Sequence, residues 1–544
     1  MAREPAESGV VDPGGSTLDS NSRSLSRFDW AAVLGLVGIV FVGYRHYVQL
    51  RRGPYEDAAM LLRYAVNLAN GHGFVFNVSG PHVDGATDFL STVLLGGLIR
   101  FGLSAADALR SLDLVTHIAT VLGVYLVGRF VHRAPVIVSA VPALFLAYGP
   151  ALTHAAAYFA TPVFGFFVAL TIAASYICRQ RPTDGKLVAA FAVSALLMSL
   201  TRPEGVVLTG LILIAVVWWV NRYETVMLLL RFSAIFVTGG LVYFVWHWLY
   251  FGYPLPNPYY EKGGGTLHTR GLSDSIHVVW SAAWPLLLLM AIGLLVRRSR
   301  RDALFILVPV VGFTAVWVLL SSETNFAGRF QYPVLVMLAM GAAPVAIQLF
   351  GGVKKRRALE VAASVTLLLL LLLIDVRDNR AFAAGFSQTR LPSTTTIDIP
   401  VARRLKQFGP SARMAVTEAG ALPFYSGWQA LDTWGLNDAT IAHRGVLRGA
   451  DLDAFQPDVI MFYASFSPID VTPTADPEAH AWTHLTLTMN SYAVSHRYEL
   501  AAAYGSLHAC RYFYVRTDWQ RSSEVVAAIR DAGARIRIPD LRQQ

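Results

Sequence analysis

WAAVLGLVGIVFVGYRHYVQL (30–50), followed almost at once by YEDAAMLLRY (55–64), decides the fold. The first stretch is a continuous apolar run of the length that crosses a bilayer, about 20 residues. The second opens on two adjacent acids, Glu56 and Asp57, and carries Arg63 near its end. What a carboxylate pair does at the mouth of a span depends on the side of the membrane, so topology comes first.

The 544 residues are 54% hydrophobic and 15% charged, with a mean hydropathy of +0.46. A soluble domain carries about 25% charged residues, so the chain reads as an integral membrane protein. The net charge of +9 sits in short clusters between apolar runs, as in positive-inside loops. No basic stretch is interleaved with aromatics in the manner of a base-stacking groove, which argues against nucleic acid. Residues 1–28 are polar and Ser/Gly/Pro-rich and read as a disordered cytoplasmic tail. The run 30–50 lacks a small-residue cleavage site and reads as a retained signal anchor.

Further candidate spans lie near 112–131, 135–150, 160–178, 187–201, 204–220, 226–250, 278–296, 303–320, 330–350 and 359–375. The run 87–103 is short and interrupted by Gly96, Gly97 and Arg100. With RRSRR (297–301) and KKRR (354–357) placed inside, RQRPTDGK (179–186) and RFVHR (129–133) also fall inside, provided 87–103 only dips into the outer leaflet. This predicts an α-helical membrane module over 29–375 with about 11 spans. A first extracytoplasmic loop covers 51–110. Cys178 and Cys510 then fall on opposite sides, without a metal-type spacing. After 376, RMAVTEAGALPFYS, QPDVIMFYASF and CRYFYVRTD alternate strand and helix signals, so 376–544 is expected to be an extracytoplasmic α/β domain of ordinary size. The setting implied is a plasma (inner) membrane, multi-pass, N-terminus cytoplasmic.

The first loop continues as YEDAAMLLRYAVNLANGHGFVFN (55–77) and VDGATDFLSTVLLGGLI (83–99). With TRPEG (201–205), PLPNPYYEK (254–262), AGRF (327–330) and GALPFYSG…LDTWGLND (420–438), this order of motifs resembles the polyprenyl-phosphate-dependent membrane glycosyltransferases of the GT-C class. Among them it is most similar to the terminal β-(1→2)-arabinofuranosyltransferases. The acidic pair followed by Ala58, the Arg63–Tyr64 pair, Asn67, Gly71–His72–Gly73 and Asn77 carry the resemblance. Two positions depart from it. Glu56 stands where the family has Asp, and YFATP (158–162) puts Ala160 where the family has an acid.

The resemblance implies transfer of a sugar, arabinofuranose in its nearest members, from a polyprenyl-phosphate donor to a cell-envelope glycan acceptor. Such chemistry needs a carboxylate that takes a proton or faces oxocarbenium charge, and cations for the lipid phosphate. Asp57 is the expected catalytic carboxylate, with Glu56 beside it as partner; both would otherwise be first-turn acids favouring the helix dipole. Arg63, His72, Lys262, Arg329 and Arg202 are the candidate donor or phosphate ligands. Lys262 has the look of a snorkelling lysine as well, and Arg202 with Glu204 that of a structural ion pair around Pro203. Asp84, Asp88 and Glu204 are second-rank acids, Asp84 and Asp88 with a capping alternative. Tyr260, Trp428 and Trp434 are weak candidates for stacking an acceptor sugar, against ordinary core packing. His117 and His247 read as satisfied residues near span ends. No acid or histidine spacing forms a metal-ligand motif, which leaves a divalent cation open. Other sugars (mannose, glucose, aminoarabinose) fit the same motifs. A lipid or solute transporter would put ionisable residues and helix breaks near the midplane, whereas these motifs gather at one face.

Overall fold

The computed structural model describes residues 25–47, 56–155, 158–262, 267–319, 325–350, 356–388, 397–464, 477–506 and 509–536. Residues 1–24 of the expected tail, the glycines 263–265, SSET (321–324) and the first two lysines of KKRR lie outside them.

Seven helices among the described residues are long and apolar enough to cross a membrane. They are Arg27–Arg45, Ala105–Val131, Thr161–Cys178, Arg222–Phe251, Thr269–Leu295, Gly328–Leu349 and Arg357–Ile374. Four shorter apolar helices accompany them, Phe89–Arg100, Val136–Ala147, Gly185–Thr201 and Glu204–Trp219. The helix Tyr332–Leu349 is buried through most of its length, so it is the central column of the bundle. Arg222–Phe251 keeps most of its apolar surface outward, as a lipid-facing helix does. The interrupted run 87–103 forms only Phe89–Arg100, 12 residues. At 1.5 Å per residue it is about 18 Å long, against a hydrocarbon core of about 30 Å. It lies against Glu56–Ala69, where Gly96 allows close approach to Ala65 O.

Helix Glu56–Ala69 is buried on nearly every face. Its Glu56, Arg63 and Tyr64 find partners in the C-terminal domain and its Asn67 in the loop that follows, which is why so polar a helix tolerates burial. That domain carries a five-stranded sheet, β1 (Arg413–Val416), β2 (Gln429–Asp432), β3 (Val459–Ala464), β4 (Tyr498–Ser506) and β5 (Ala509–Arg516), in the order β2-β1-β3-β5-β4. β1 pairs in parallel with β2 and β3, while β5 runs antiparallel between β3 and β4. The three expected strands are β1, β3 and β5. The helix Arg356–Gln388 runs across residue 376, where the composition changes.

Two joints lock the domain onto the first loop. Glu56 is 6% exposed and accepts hydrogen bonds from the backbone N–H groups of Gly420 and Ala421. A Cβ at Gly420 would lie 1.8 Å from Glu56 O, so only glycine lets the two segments touch. Arg63 Nε donates to Phe76 O at 2.6 Å, Nη1 to Pro423 O at 2.5 Å, and Nη2 to Trp428 O at 2.7 Å and Asn77 Oδ1 at 3.0 Å.

Candidate active site

Those two joints correct two expectations. Glu56 faces backbone amides inside the domain junction. Burial pushes its carboxyl well above the usual range, the charges of Glu418 and Asp398 add to the push, and the two amides oppose it. Arg63 has each guanidinium nitrogen engaged within the protein, so it holds the loop to the domain where a phosphate contact was expected. Trp428 is likewise a core residue, fully buried, with Nε1 donating to Leu405 O at 2.9 Å and its ring edge-on to Trp519; it presents no face to a sugar. Trp434 packs on Trp482 at 5.1 Å. Tyr260 and Tyr253 each pack on the His443 ring at 4.0 Å. His72 is exposed on the turn between Gly71 (φ +84°) and Gly73 (φ +80°), away from the charged cluster described next.

Asp57, one residue on from Glu56, points the other way. Its Oδ2 accepts from Arg329 Nη2 at 2.7 Å, with 31% of the Asp57 side chain exposed and 2% of Arg329. The 3₁₀ turn Phe326–Gln331 delivers Arg329 from the start of the central helix. Its guanidinium lies over the Phe159 ring at 4.5 Å, so Phe159 of YFATP supplies an aromatic face where an acid was expected nearby. Arg202 lies 3.1 Å from Glu204 and 3.4 Å from Asp88. Burial raises the Asp88 carboxyl to about 7 despite Arg202. The Lys262 charge reaches Glu204. Asp84 is raised by burial and held back by a hydrogen bond with His247, whose Nε2 lies 2.7 Å from Asp84 Oδ2. On the far side of this loop, Tyr64 Oη donates to Asn437 Oδ1 at 2.9 Å and accepts from Gly85 N at 3.2 Å. Asn437 Nδ2 donates in turn to Asp432. Segments quoted from six parts of the sequence thus meet in space.

A pocket opens beside the Asp57–Arg329 pair, lined by Thr161, Phe164, Arg202, Glu204, Phe313, Trp317, Arg329 and Phe330. Phe330 and Trp317 stack in parallel at 4.6 Å. Arg329 Nε and Nη1 and Trp317 Nε1 are buried and without a hydrogen-bond partner among the described residues. Three donor nitrogens without a partner among the described residues, beside the rings of Phe164, Phe313 and Phe330, suit an anion with an apolar tail. Trp317 and the Asp84–His247 pair escaped the sequence reading. A tryptophan at a span end reads as an interfacial anchor, and a histidine near one as satisfied. Among the described residues no group of three or more His, Cys, Asp or Glu is placed to hold a metal ion.

A family model described as a domain of unknown function (DUF8728) matches residues 387–525. No curated protein sequence matches the chain. Among solved structures it is similar to ArnT from Cupriavidus metallidurans in the apo state, at 15% identity and a TM-score of 0.55 over 89% of this chain and 98% of that one. The same protein bound to undecaprenyl phosphate gives 14% identity and 0.55 over 90% and 98%. The archaeal oligosaccharyltransferase AglB from Archaeoglobus fulgidus, in complex with an inhibitory peptide and a dolichol-phosphate, gives 10% and 0.51 over 90% and 74%. Apolar helices, a buried first-loop helix and a C-terminal sheet domain together make this the fold of the GT-C membrane glycosyltransferases.

Proposed function

We propose that the chain transfers a sugar, arabinofuranose in the first instance, from a polyprenyl-phosphate donor to a cell-envelope glycan on the extracytoplasmic face. The observation that carries this reading is the pocket in which the bare N–H groups of Arg329 and Trp317 lie beside Phe164 and Phe313, with Arg329 also paired to the part-exposed Asp57. The lipid phosphate binds Arg329 and Trp317, and the prenyl chain leaves along Phe164 and Phe313. Phosphate competes with Asp57 for Arg329, which frees the carboxylate as the donor arrives. The acceptor O–H gives its proton to Asp57, the acceptor oxygen bonds the anomeric carbon, and the carbon–phosphate oxygen bond breaks. The electron pair leaves on the polyprenyl phosphate, where Arg329 and Trp317 hold its charge. The motifs and the likeness to the ArnT and AglB structures, whose complexes hold undecaprenyl phosphate and dolichol-phosphate, support the donor class. The sugar rests on the sequence resemblance.

The test is binding of undecaprenyl phosphate to the detergent-purified protein, followed by incubation with a panel of lipid-phosphate sugars and mass spectrometry of the products. Trp317→Phe keeps the stack on Phe330 and removes one donor to an anion; it should weaken undecaprenyl phosphate about 10-fold. Unchanged affinity would take Trp317 out of the site. A panel in which only another sugar is transferred would replace arabinofuranose. Absence of both binding and transfer would end the reading.

Sidedness has its own test. The native cysteines are both buried, so background labelling is low. A cysteine at exposed Thr440 should react with an impermeant thiol reagent applied outside the cell, and one at exposed Lys186 should not. The reverse pattern would place the pocket in the cytoplasm.

A further inference from the structure

The transfer chemistry above makes no use of Asp84 and His247. Their side chains are 11% and 5% exposed. An ionised carboxylate only accepts, so in the neutral His247 ring the contact with Asp84 keeps the proton on Nε2 and makes Nδ1 an acceptor. That Nδ1 is buried and without a partner among the described residues. Asn257 touches the same aspartate from another element. Its backbone N–H donates to Asp84 O at 3.1 Å. Its side chain is buried, and the Nδ2 donor is also without a partner among the described residues. The two residues that hold Asp84 therefore carry one unused acceptor and one unused donor. A phosphate or carboxylate would answer only Asn257, and an ammonium only His247. A hydroxyl answers both, because its O–H donates while its lone pairs accept. The place also fits. Asp84 and Arg329 both act on Asp88, and Asn257 opens the short helix Asn257–Glu261 that leads to Lys262.

We propose that Asp84, His247 and Asn257 form a subsite that recognises one hydroxyl of a sugar brought to the pocket. It rests on the sugar-transfer reading. Donor sugar and acceptor glycan share this chemistry, and the test separates them. Full-length protein in detergent is titrated with farnesyl-phosphoryl arabinofuranose, mannose and glucose and with single-deoxy analogues of each. A second series uses arabinan and mannan oligosaccharides with single-deoxy analogues. Wild type should bind one deoxy compound at least about 10-fold more weakly than its parent, and the series in which this occurs names the source of the hydroxyl. Asn257→Ala removes the donor. Asp84→Asn offers the ring an amide that can donate, which lets the His247 proton move to Nδ1. In each variant the parent-to-deoxy ratio should fall below about 3, with farnesyl phosphate bound as in wild type. A wild type indifferent to every deoxy change would overturn the subsite, as would variants that keep the full ratio. Bound parent sugar phosphates would still leave the transfer reading standing. No binding of any sugar phosphate or oligosaccharide would overturn both.

Discussion

Asp57→Asn should lower sugar transfer by at least about 10²-fold, the lower end of what a general acid–base group contributes. The substitution keeps the size of the side chain, and the amide oxygen can still accept from Arg329. What it loses is the charge and the capacity to take a proton. Expression, melting temperature and undecaprenyl phosphate binding should therefore stay close to wild type while product formation from labelled polyprenyl-phosphate sugar collapses. Near-native turnover by this variant would remove Asp57 from the chemistry and turn attention to Asp84 and Asp88. A matching loss of folded protein would instead make the Asp57–Arg329 pair a structural one.

Arg63→Met gives the opposite signature. The guanidinium satisfies three buried carbonyls and the Asn77 amide oxygen. Phe76 O, Pro423 O and Asn77 Oδ1 keep donors in Asn67, Gly427 and Ala430, so Trp428 O bears the loss, and an orphaned buried acceptor costs about 1–3 kcal/mol. The loss falls on the junction between the first loop and the C-terminal domain. Limited proteolysis should cut within 71–82 or 420–428 at protease concentrations that leave wild type intact, and the melting transition should broaden or drop. A stable Arg63→Met protein that fails only to bind lipid phosphate would restore the ligand role its motif suggested. Measured side by side, the two substitutions separate chemistry from architecture within one helix.

How far the sequence reached can be judged from the same helix. Membrane class and the strand character of β1, β3 and β5 follow from composition, charge and local pattern, all of which act within a few residues. The roles of Glu56 and Arg63 do not. Their partners are 364 and 360 residues away, and helical spacing says which face a residue is on, never what covers that face. Arg63 and Asp57 stand less than two helical turns apart in the motif, yet one closes a joint and the other pairs with Arg329. β2 and β4 were missed for local reasons. QALD (429–432) is too short to show alternation, and YELAAAYGS (498–506) is rich in alanine and poor in the β-branched residues that mark strands. Trp428 looked like a platform because an isolated tryptophan carries no mark of burial.

The separation of Glu56 and Arg63 from residues 420–428 also sets an order of events during synthesis. The helix Glu56–Ala69 emerges early, but its buried acid lacks the amides of Gly420 and Ala421, and its arginine has only Phe76 and Asn77, until nearly four-fifths of the chain has left the ribosome. Contacts this distant close slowly and late. Asp57 belongs to the same helix, so it takes up its place opposite Arg329 only when that closure happens. An interrupted or prematurely cut polypeptide would hold every transmembrane element of the pocket and still lack a positioned Asp57. Completion of translation thereby precedes the last closure of this helix, a timing device written into the chain by the distance between two contacts.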